Sequence, residues 1–280
     1  MRRAFDLRAI ATVANKGPRR DWYSISNTKS DEAEVLIYDV IGDFFGFGVS
    51  AAEFRRELLA IDAKKVTLRI NSPGGLVDEA VAMASAWRDL QAEKTTVIDG
   101  IGASAASFVG LDGKVLMAKG SRLMIHEAMS IVWGNKAEMR KEANVLEMYD
   151  NDIADFYVAK AGKTRADWLA LMEAETWFSA QAAIDIGLAD GMAGESKTEN
   201  RYDPVFLNIF DNTPEDLRAR ARGTNERLDK REAEQALRDA GMPAAAAKAL
   251  VSRGWDALEP EEAAARDLIN KFKSYAGVNP

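Results

Sequence analysis

Two side chains of this sequence, Ser104 and His126, have the type and the surroundings needed for nucleophilic catalysis. Ser104 stands among small residues where a predicted strand becomes a helix. Such a turn exposes the hydroxyl at a helix N-terminus, where amide groups favour negative charge. His126 is the only histidine of the chain, and it ends the predicted strand Arg122–Ile125. If adjacent strands bring the two side chains together, the imidazole can act as general base for the hydroxyl.

Each of these residues also has a purely structural interpretation. A serine in such a turn is more often a helix cap or a packing residue, and an isolated histidine at a strand end is often a hydrogen-bonded side chain. Ser107 competes with Ser104 as the nucleophile, but it should lie inside the helix. The position of a histidine beside a serine at a neighbouring strand end favours the catalytic interpretation.

The glycine-rich turn Asn71-Ser-Pro-Gly-Gly75 supplies a third element of the candidate site. Pro73 fixes one dihedral angle, and the two glycines permit a positive φ or a close approach of the backbone. The turn could simply end a strand. In the functional interpretation, the amides of Gly75 and Ala105 form an oxyanion hole for a carbonyl oxygen that becomes negative.

An alternation of strands, turns and helices must position these residues. Apolar runs rich in β-branched residues predict the strands Glu34–Val40, Val66–Ile70, Thr95–Ile98, Lys114–Met117 and Arg122–Ile125. Helical spacing and capping residues predict the helices 50–59, 77–90 and 136–160, one that starts at Thr164, and one that Ser179 caps and Gly187 ends. This order is typical of an α/β fold with largely parallel strands, in which ligands gather beyond the carboxyl ends of the strands.

Composition and charge exclude several other classes of protein. The 280 residues contain no cysteine, which removes disulfides, thiolate nucleophiles and cysteine-zinc sites, and a single histidine removes histidine-rich metal centres. The net charge of −7 argues against nucleic acid as the main partner. The sequence lacks an apolar run of about 18 residues, and Met1–Lys16 lacks the apolar stretch of a secretory signal. We therefore expect a cytoplasmic protein without a membrane segment, metal or cofactor.

The composition changes after about Asn212. Acidic and basic residues balance over 213–280, so the net charge of −7 belongs to the residues before them. We predict a globular domain over 1–200, with an N-terminal lead-in over 1–30. A linker and a charged, alanine-rich helical tail follow over 201–280, because such helices are too short and alanine-rich to build a large core alone.

The motifs together resemble the Clp-type serine peptidases of the crotonase-like superfamily. The matching stretches occur in family order, at Ile70–Gly75, Gly100–Ser104, Ser121–His126 and Ser179–Asp190. The resemblance implies a fold of repeated β-β-α units with a helical C-terminal appendage. It also implies a serine endopeptidase that acts on proteins or peptides, assembles into homo-oligomeric rings and stacks them through the helix 136–160. Its nucleophile would be Ser104 and its general base His126, with oxyanion amides at Gly75 and Ala105.

The resemblance places the third member of a catalytic triad at Glu175, where the family has an aspartate. A glutamate is one methylene longer, but it could still accept a hydrogen bond from the second ring nitrogen of His126. Asp150, Asp152 and Glu173 remain alternatives. If His126 has an ordinary pKa, activity should rise as the pH climbs through roughly 6–7.

The residues around Ser104 and the stretch Glu175-Thr-Trp look most like the Clp-related prohead (head maturation) proteases of tailed bacteriophages. That likeness implies cleavage of scaffolding and capsid proteins inside an assembling procapsid, in the host cytoplasm. It does not require an unfolding ATPase, and the sequence has no G-x-x-x-x-G-K-[ST] phosphate loop. Three alternatives stay open: a serine–lysine peptidase with Lys114 or Lys119 as base, a crotonase-type acyl-CoA enzyme, and a non-catalytic capsid-assembly scaffold.

Overall fold

A computed structural model describes residues 26–28, 31–42, 48–130, 132, 134–194, 207, 209–217 and 248. In this part, eight strands form one sheet: β1 Ser26–Thr28, β2 Glu32–Ile37, β3 Lys65–Ser72, β4 Glu93–Ala103, β5 Lys114–Met117, β6 Arg122–Ile125, β7 Thr176–Ser179 and β8 Gly191–Met192. The described α-helices are α1 Ala51–Leu59, α2 Val77–Asp89, α3 Lys136–Ala161, α4 Arg165–Glu173 and α5 Ala180–Ile186. A 3₁₀ helix, Ser104–Ser107, follows β4 directly.

The sheet is mostly parallel, which confirms the predicted α/β class. Strands β2, β3, β4 and β5 pair in parallel in that order, and β8 extends the edge beside β5. The antiparallel pairs are β1 with β2 and β6 with β7. Helices connect the parallel strands β2, β3 and β4, as crossover connections between parallel strands require.

Strand β4 has two successive partners on one side, and this branch point builds the candidate site. Thr95–Ile98 pairs with β5, whereas Ile101–Ala103 pairs with β6. The sequence predicted a strand that stops at Ile98 and a turn from Gly100. Instead the small residues continue the strand to Ala103, so that the carboxyl ends of β4 and β6 lie side by side.

Helix boundaries follow the predicted capping residues. The Ser50 hydroxyl accepts a hydrogen bond from the Glu53 amide at 3.2 Å and starts α1. The pair Ser50 and Glu53, which has the spacing of a capping box, forms only half of one, because the Glu53 carboxylate bonds the Ser50 hydroxyl and not the Ser50 amide. Thr164 caps α4 through a complete capping box with Asp167, and Gly187 ends α5 in a left-handed conformation.

The two faces of the sheet carry two separate apolar clusters. Side chains alternate between faces along a strand, so Leu123 and Ile125 of β6 join the main core with the helices while Met124 points to the other face. The smaller cluster consists of Ile101, Ala103, Met124, Leu207, Phe210 and Leu217. Its last three members belong to a stretch that the sequence assigned to a linker, and the structure instead packs them on the sheet.

The remaining predictions for the tail concern residues that the structure does not describe. The tail helices lie outside the described residues except for Lys248, as does the lead-in before Ser26. The domain boundary near residue 200 therefore stays a prediction. None of the helices in the described ranges has the length and apolar character to cross a membrane.

Candidate active site

Ser104 occupies the turn that joins β4 to the 3₁₀ helix. Its φ of +53° lies in the left-handed region, which a residue other than glycine rarely adopts. Backbone strain of this kind is concentrated at functional sites, and a nucleophile on a sharp strand-to-helix turn is one recurrent form of it. The turn leaves Ser104 partly exposed while its neighbours Ala103 and Ala105 are buried.

The structure brings the Ser104 and His126 side chains together, although they are 22 residues apart in the sequence. The Oγ atom of Ser104 lies 2.7 Å from Nε2 of His126, which is hydrogen-bonding distance. The parallel pairing of Ala103 with Met124 produces this approach, since each side chain follows the end of its own strand. This is the geometry that a hydroxyl nucleophile and its general base need.

The turn Asn71–Gly75 lies directly beside this pair. The β3–β4 ladder is irregular between Ile70 and Ser72, and the Asn71 side chain fills the gap by accepting a hydrogen bond from the Ile101 amide at 3.1 Å. The Ser72 hydroxyl accepts from the Gly74 amide at 3.2 Å and tightens the turn. The polar side chains of the turn thus bind backbone amides, Asn71 that of Ile101 on β4 and Ser72 that of Gly74 within the turn.

The two glycines of the turn are required by space and by conformation. A Cβ atom on Gly74, whose φ is +99°, would lie 2.6 Å from Cβ of Ser104 and 3.0 Å from the amide nitrogen of Ala105. A Cβ atom on Gly75 would lie 1.9 Å from the carbonyl oxygen of Ile41. Gly74 can therefore lie against the serine and the Ala105 amide, and Gly75 against the Ile41 carbonyl, only because both positions lack a side chain.

The Gly75 amide is left outside the hydrogen bonds that anchor this turn. Ile41 donates to the carbonyl of Gly74 at 2.8 Å and accepts from the Leu76 amide at 2.9 Å, and the Gly75 amide takes part in neither bond. Gly74 lies against Ser104 and the Ala105 amide, and Gly75 follows it in the chain, so the assignment of the oxyanion amides to Gly75 and Ala105 stays a prediction.

His126 and Glu175 share one face of the sheet because of the β6–β7 register. Met124 pairs with Trp177 and Ile125 pairs with Thr176, so the next position brings His126 opposite Glu175. Directly opposed residues in an antiparallel pair have their Cβ atoms about 5 Å apart. Glu175 leads into β7 with a φ of +47°, and the field of its carboxylate acts on the imidazole.

The Glu175 carboxylate, however, is hydrogen-bonded to groups other than His126. It accepts from the indole Nε1 of Trp177 at 3.1 Å and from the backbone amides of Asp211 and Asn212 at 2.8 Å and 2.6 Å. In the described part of the chain it accepts no hydrogen bond from His126. Glu175 therefore lies where the sequence predicted it, but the expected bond to the imidazole is not formed.

The alternative carboxylates are placed elsewhere. Asp150 is buried and accepts a hydrogen bond from the Ala128 amide at 2.6 Å, so it anchors the loop that follows His126. Burial raises the pKa of Asp150. Asp152 and Glu173 are exposed on α3 and α4. Glu175 is the carboxylate whose charge acts on the His126 imidazole.

Burial lowers the pKa of His126 from its ordinary 6.5 to about 4. The charge of Glu175, and to a smaller extent a hydrogen bond to the backbone of Glu127, oppose this shift by favouring the protonated ring. The edge of the Phe210 ring packs on the imidazole, with centroids 5.2 Å apart and planes at 64°. The ring is thus neutral near pH 7 and can accept a proton. The prediction from the sequence, that activity rises through roughly pH 6–7, assumed an ordinary pKa for His126.

The alternative nucleophile and the alternative bases are placed less well for catalysis than Ser104 and His126. The Ser107 hydroxyl is buried in the helix, as predicted, and is bonded to the Ser104 carbonyl and to the Tyr157 hydroxyl at 2.5 Å and 2.6 Å. Lys114 and Lys119 have exposed side chains at the two ends of β5. The partner of the Ser104 hydroxyl is His126.

Sequence analysis missed the contribution of residues 207 and 209–217, which we call the covering segment. Phe210 contacts His126, and two amides of the segment bind Glu175. The apolar run Val205–Phe210 inside the polar linker was the signal that could have found it. Within the described ranges, no group of three or more acidic, histidine or cysteine side chains is arranged to hold a metal ion.

A serine and a histidine at adjoining strand ends, with a glycine turn against the serine, define a serine-hydrolase type of site on an α/β sheet. A model of the Clp protease family matches residues 19–196. The chain belongs to the Clp protease family. Its relatives are named as proteolytic subunits, and the chain is an enzyme of the serine endopeptidase type.

Several curated relatives share this domain. The chain is 28% identical over 179 residues to the ATP-dependent Clp protease proteolytic subunit 1 of Protochlamydia amoebophila. This alignment covers 60% of this chain and 87% of that protein. It is 32% identical over 137 residues to the ATP-dependent Clp protease proteolytic subunit of Pleurastrum terricola, covering 48% and 70%. Its fold resembles that of a ClpP1 mutant from Listeria monocytogenes, with a TM-score of 0.51, 20% identity and 61% and 94% coverage.

Proposed function

We propose that this protein cleaves peptide bonds with Ser104 as nucleophile and His126 as general base, and that it processes scaffolding and capsid proteins during phage prohead maturation. The 2.7 Å contact between Ser104 Oγ and His126 Nε2 carries the catalytic part of the proposal. The strained φ of Ser104 adds to it, because folding energy is spent to hold the hydroxyl at this turn.

In the proposed reaction, Ser104 Oγ attacks the carbonyl carbon of the scissile peptide while His126 Nε2 takes the hydroxyl proton. The carbonyl oxygen becomes negative and is stabilised by the amides of Gly75 and Ala105. His126 then gives the proton to the leaving amine, and the bond to that amine breaks. A water molecule deprotonated by His126 releases the acyl group from Ser104 in the second half of the reaction.

The electrostatic difficulty of this reaction is the charged imidazole that forms during each step. Burial disfavours the imidazolium, as the pKa of about 4 for His126 expresses. The Glu175 carboxylate opposes that cost through its field. We propose that Glu175 stabilises the imidazolium through space and does not orient the ring by a direct hydrogen bond.

The prohead role rests on the sequence around the site. The small residues that flank Ser104 and the stretch Glu175-Thr-Trp are the features that resemble prohead proteases. Both are built into the site, since Trp177 binds the Glu175 carboxylate. We propose protein substrates, a homo-oligomeric ring and a location in the host cytoplasm within the assembling procapsid.

The proposed stacking of rings through α3 is supported by the exposure of this helix. Met139 and Met148 of α3 are 51% and 67% exposed, a large apolar exposure for a single helix. In stacked rings, subunits of the opposing ring would cover such side chains.

The catalytic part is tested by the cleavage of an unfolded protein such as casein, without any ATPase. We expect the native chain to release peptides, and the S104A and H126A variants to lose at least about 10³ of the rate. A Ser107→Ala variant serves as the matched control, because Ser107 lies one helical turn away and is not placed to attack. An H126A variant that keeps the native rate would favour the serine–lysine alternative.

The prohead role has a separate test. The chain, or its S104A variant, is co-expressed with the capsid and scaffolding proteins of the same genome, and the assembled particles are analysed by mass spectrometry. We expect trimmed capsid or scaffolding chains with the native protein and full-length chains with S104A. Identical particles in both cases would leave the peptidase without this role and favour a non-catalytic scaffold.

A further inference from the structure

The covering segment is held against the sheet by apolar anchors. Leu207, Phe210 and Leu217 are 1%, 4% and 3% exposed, and they pack on Ile101, Ala103 and Met124 of β4 and β6. These residues lie beyond the matched Clp protease region, which ends at residue 196. The segment thus lies outside the matched region, and it covers the sheet face to which His126 and Glu175 belong.

Polar contacts give the covering segment a defined shape. The Thr213 hydroxyl is buried and donates to the Leu207 carbonyl at 2.8 Å, which closes the segment into a turn. The Asn212 side chain donates to the Ala174 carbonyl at 3.0 Å, next to Glu175. Arg122 and Asp216 form an ion pair at the rim, 3.4 Å apart. These contacts therefore fix the conformation of the segment and its position on the sheet.

Phe210 is the residue of the segment that contacts the imidazole. Its ring meets His126 edge-on, with centroids 5.2 Å apart, and meets Trp177 in the same manner at 6.0 Å. Such edge contacts have a preferred geometry, and they exclude water from the ring that they cover. The imidazole is thereby held between Phe210 on one side and the Ser104 hydroxyl on Nε2.

The backbone of the segment holds the second polar group of the site. The amides of Asp211 and Asn212 supply two of the three hydrogen bonds to the Glu175 carboxylate. Hydrogen bonds from backbone amides to a carboxylate fix its position. Among the charged groups near the imidazole, Glu175, which directly precedes β7, exerts a field on the ring. Glu127 beyond β6 bonds the ring only through its backbone, and Asp211 donates its amide to Glu175.

We propose that the covering segment is a positioning element of the peptidase site, which seats the His126 imidazole through Phe210 and the Glu175 carboxylate through two backbone amides. The inference rests on the proposed function. Positioning is favoured over inhibition because the bond between Ser104 and His126 is formed while the segment is docked. A segment that inhibited by acting on this pair would separate the two side chains or occupy the hydroxyl.

The experiment compares F210A and F210L with a control variant, I209A, in the full-length protein. Ile209 neighbours Phe210 but is 38% exposed, so its loss should leave the site unchanged. Because the chain has one histidine, protein labelled with ¹³C-histidine gives a single imidazole resonance, and its titration reports the pKa of His126 directly. The rate of fluorophosphonate labelling of Ser104 at pH 7 is measured on the same samples.

We expect F210A to move the imidazole midpoint upward by at least about one pH unit, because water reaches the ring. Labelling of Ser104 should slow by about tenfold or more, because the ring loses its seat. F210L should show the same changes to a smaller degree, and it carries the test if F210A fails to fold by circular dichroism. I209A should match the native protein in both measurements.

Two results would overturn the positioning role. An unchanged imidazole midpoint with native labelling in F210A would show that the segment does not seat the ring, and faster labelling would show that it inhibits. If the probe never labels Ser104 in the native protein but the imidazole midpoint still shifts in F210A, the proposed function is refuted. The contact between the segment and His126 then still stands.

Discussion

The low pKa of His126 gives a sharp prediction for the pH dependence of the reaction. A general base must be neutral, so activity rises with pH through the pKa of the free enzyme. With a pKa of about 4, roughly 90% of the imidazole is neutral at pH 5, and the rate there should be within about 1.1-fold of that at pH 7. With the ordinary 6.5, the same step would cost about 25-fold.

The assay is the rate of fluorophosphonate labelling of Ser104 between pH 4 and 8, at constant ionic strength. Labelling reports the nucleophile and its base without any later step of peptide hydrolysis. A midpoint near 6.5 would refute the reasoning, because it would mean that His126 is hydrated in the working enzyme. Circular dichroism at each pH is the control, because protonation of His126 also lowers the stability of the fold.

The lowered pKa of His126 also makes the stability of the fold depend on pH. The unfolded chain binds a proton at His126 near pH 6.5 and the folded chain only near pH 4. Falling pH therefore favours unfolding over this window, and the linkage amounts to at most about 3 kcal/mol. Chemical denaturation at pH 7 and pH 4.5 would measure this loss.

Three further substitutions test the construction of the site. S104A should lose all labelling and keep the native circular dichroism spectrum, because alanine retains the Cβ atom and the positive φ of the turn and removes only the hydroxyl that bonds His126. Gly75→Ala should fold poorly or lower the melting temperature by several degrees, since the new methyl group would overlap the Ile41 carbonyl. Tyr157→Phe should cost about 1–3 kcal/mol in denaturant unfolding by leaving the buried Ser107 hydroxyl with one partner fewer, while the labelling rate stays native.

The parts of the fold with a strong local signal were predictable from the sequence. The strands β5 and β6 begin and end at the predicted residues, because apolar runs and flanking turn residues delimit them. The pairing of Ser104 with His126 could also be anticipated, since both follow strands of one parallel sheet. The extension of β4 to Ala103 could not, because glycine and alanine have little strand propensity and pair here only through β6.

The electrostatics of the site depended on contacts between residues far apart in the sequence. Glu175 aligned with the acidic residue of a triad, but its hydrogen bonds come from Trp177 and from amides 36 and 37 residues downstream. The pKa of His126 likewise depends on burial that includes Phe210, in a stretch that looked like a linker. Sequence spacing predicts which strand ends meet, whereas it does not predict which loop covers them.

The central claim is that Ser104, activated by His126, is the nucleophile of this peptidase. The most direct measurement is to treat the assembled native protein with a fluorophosphonate probe and to locate the adduct by mass spectrometry. The account predicts a single adduct on Ser104, absent from S104A and at least about 10³-fold slower in H126A. No adduct on Ser104, or equal labelling in H126A, would contradict it.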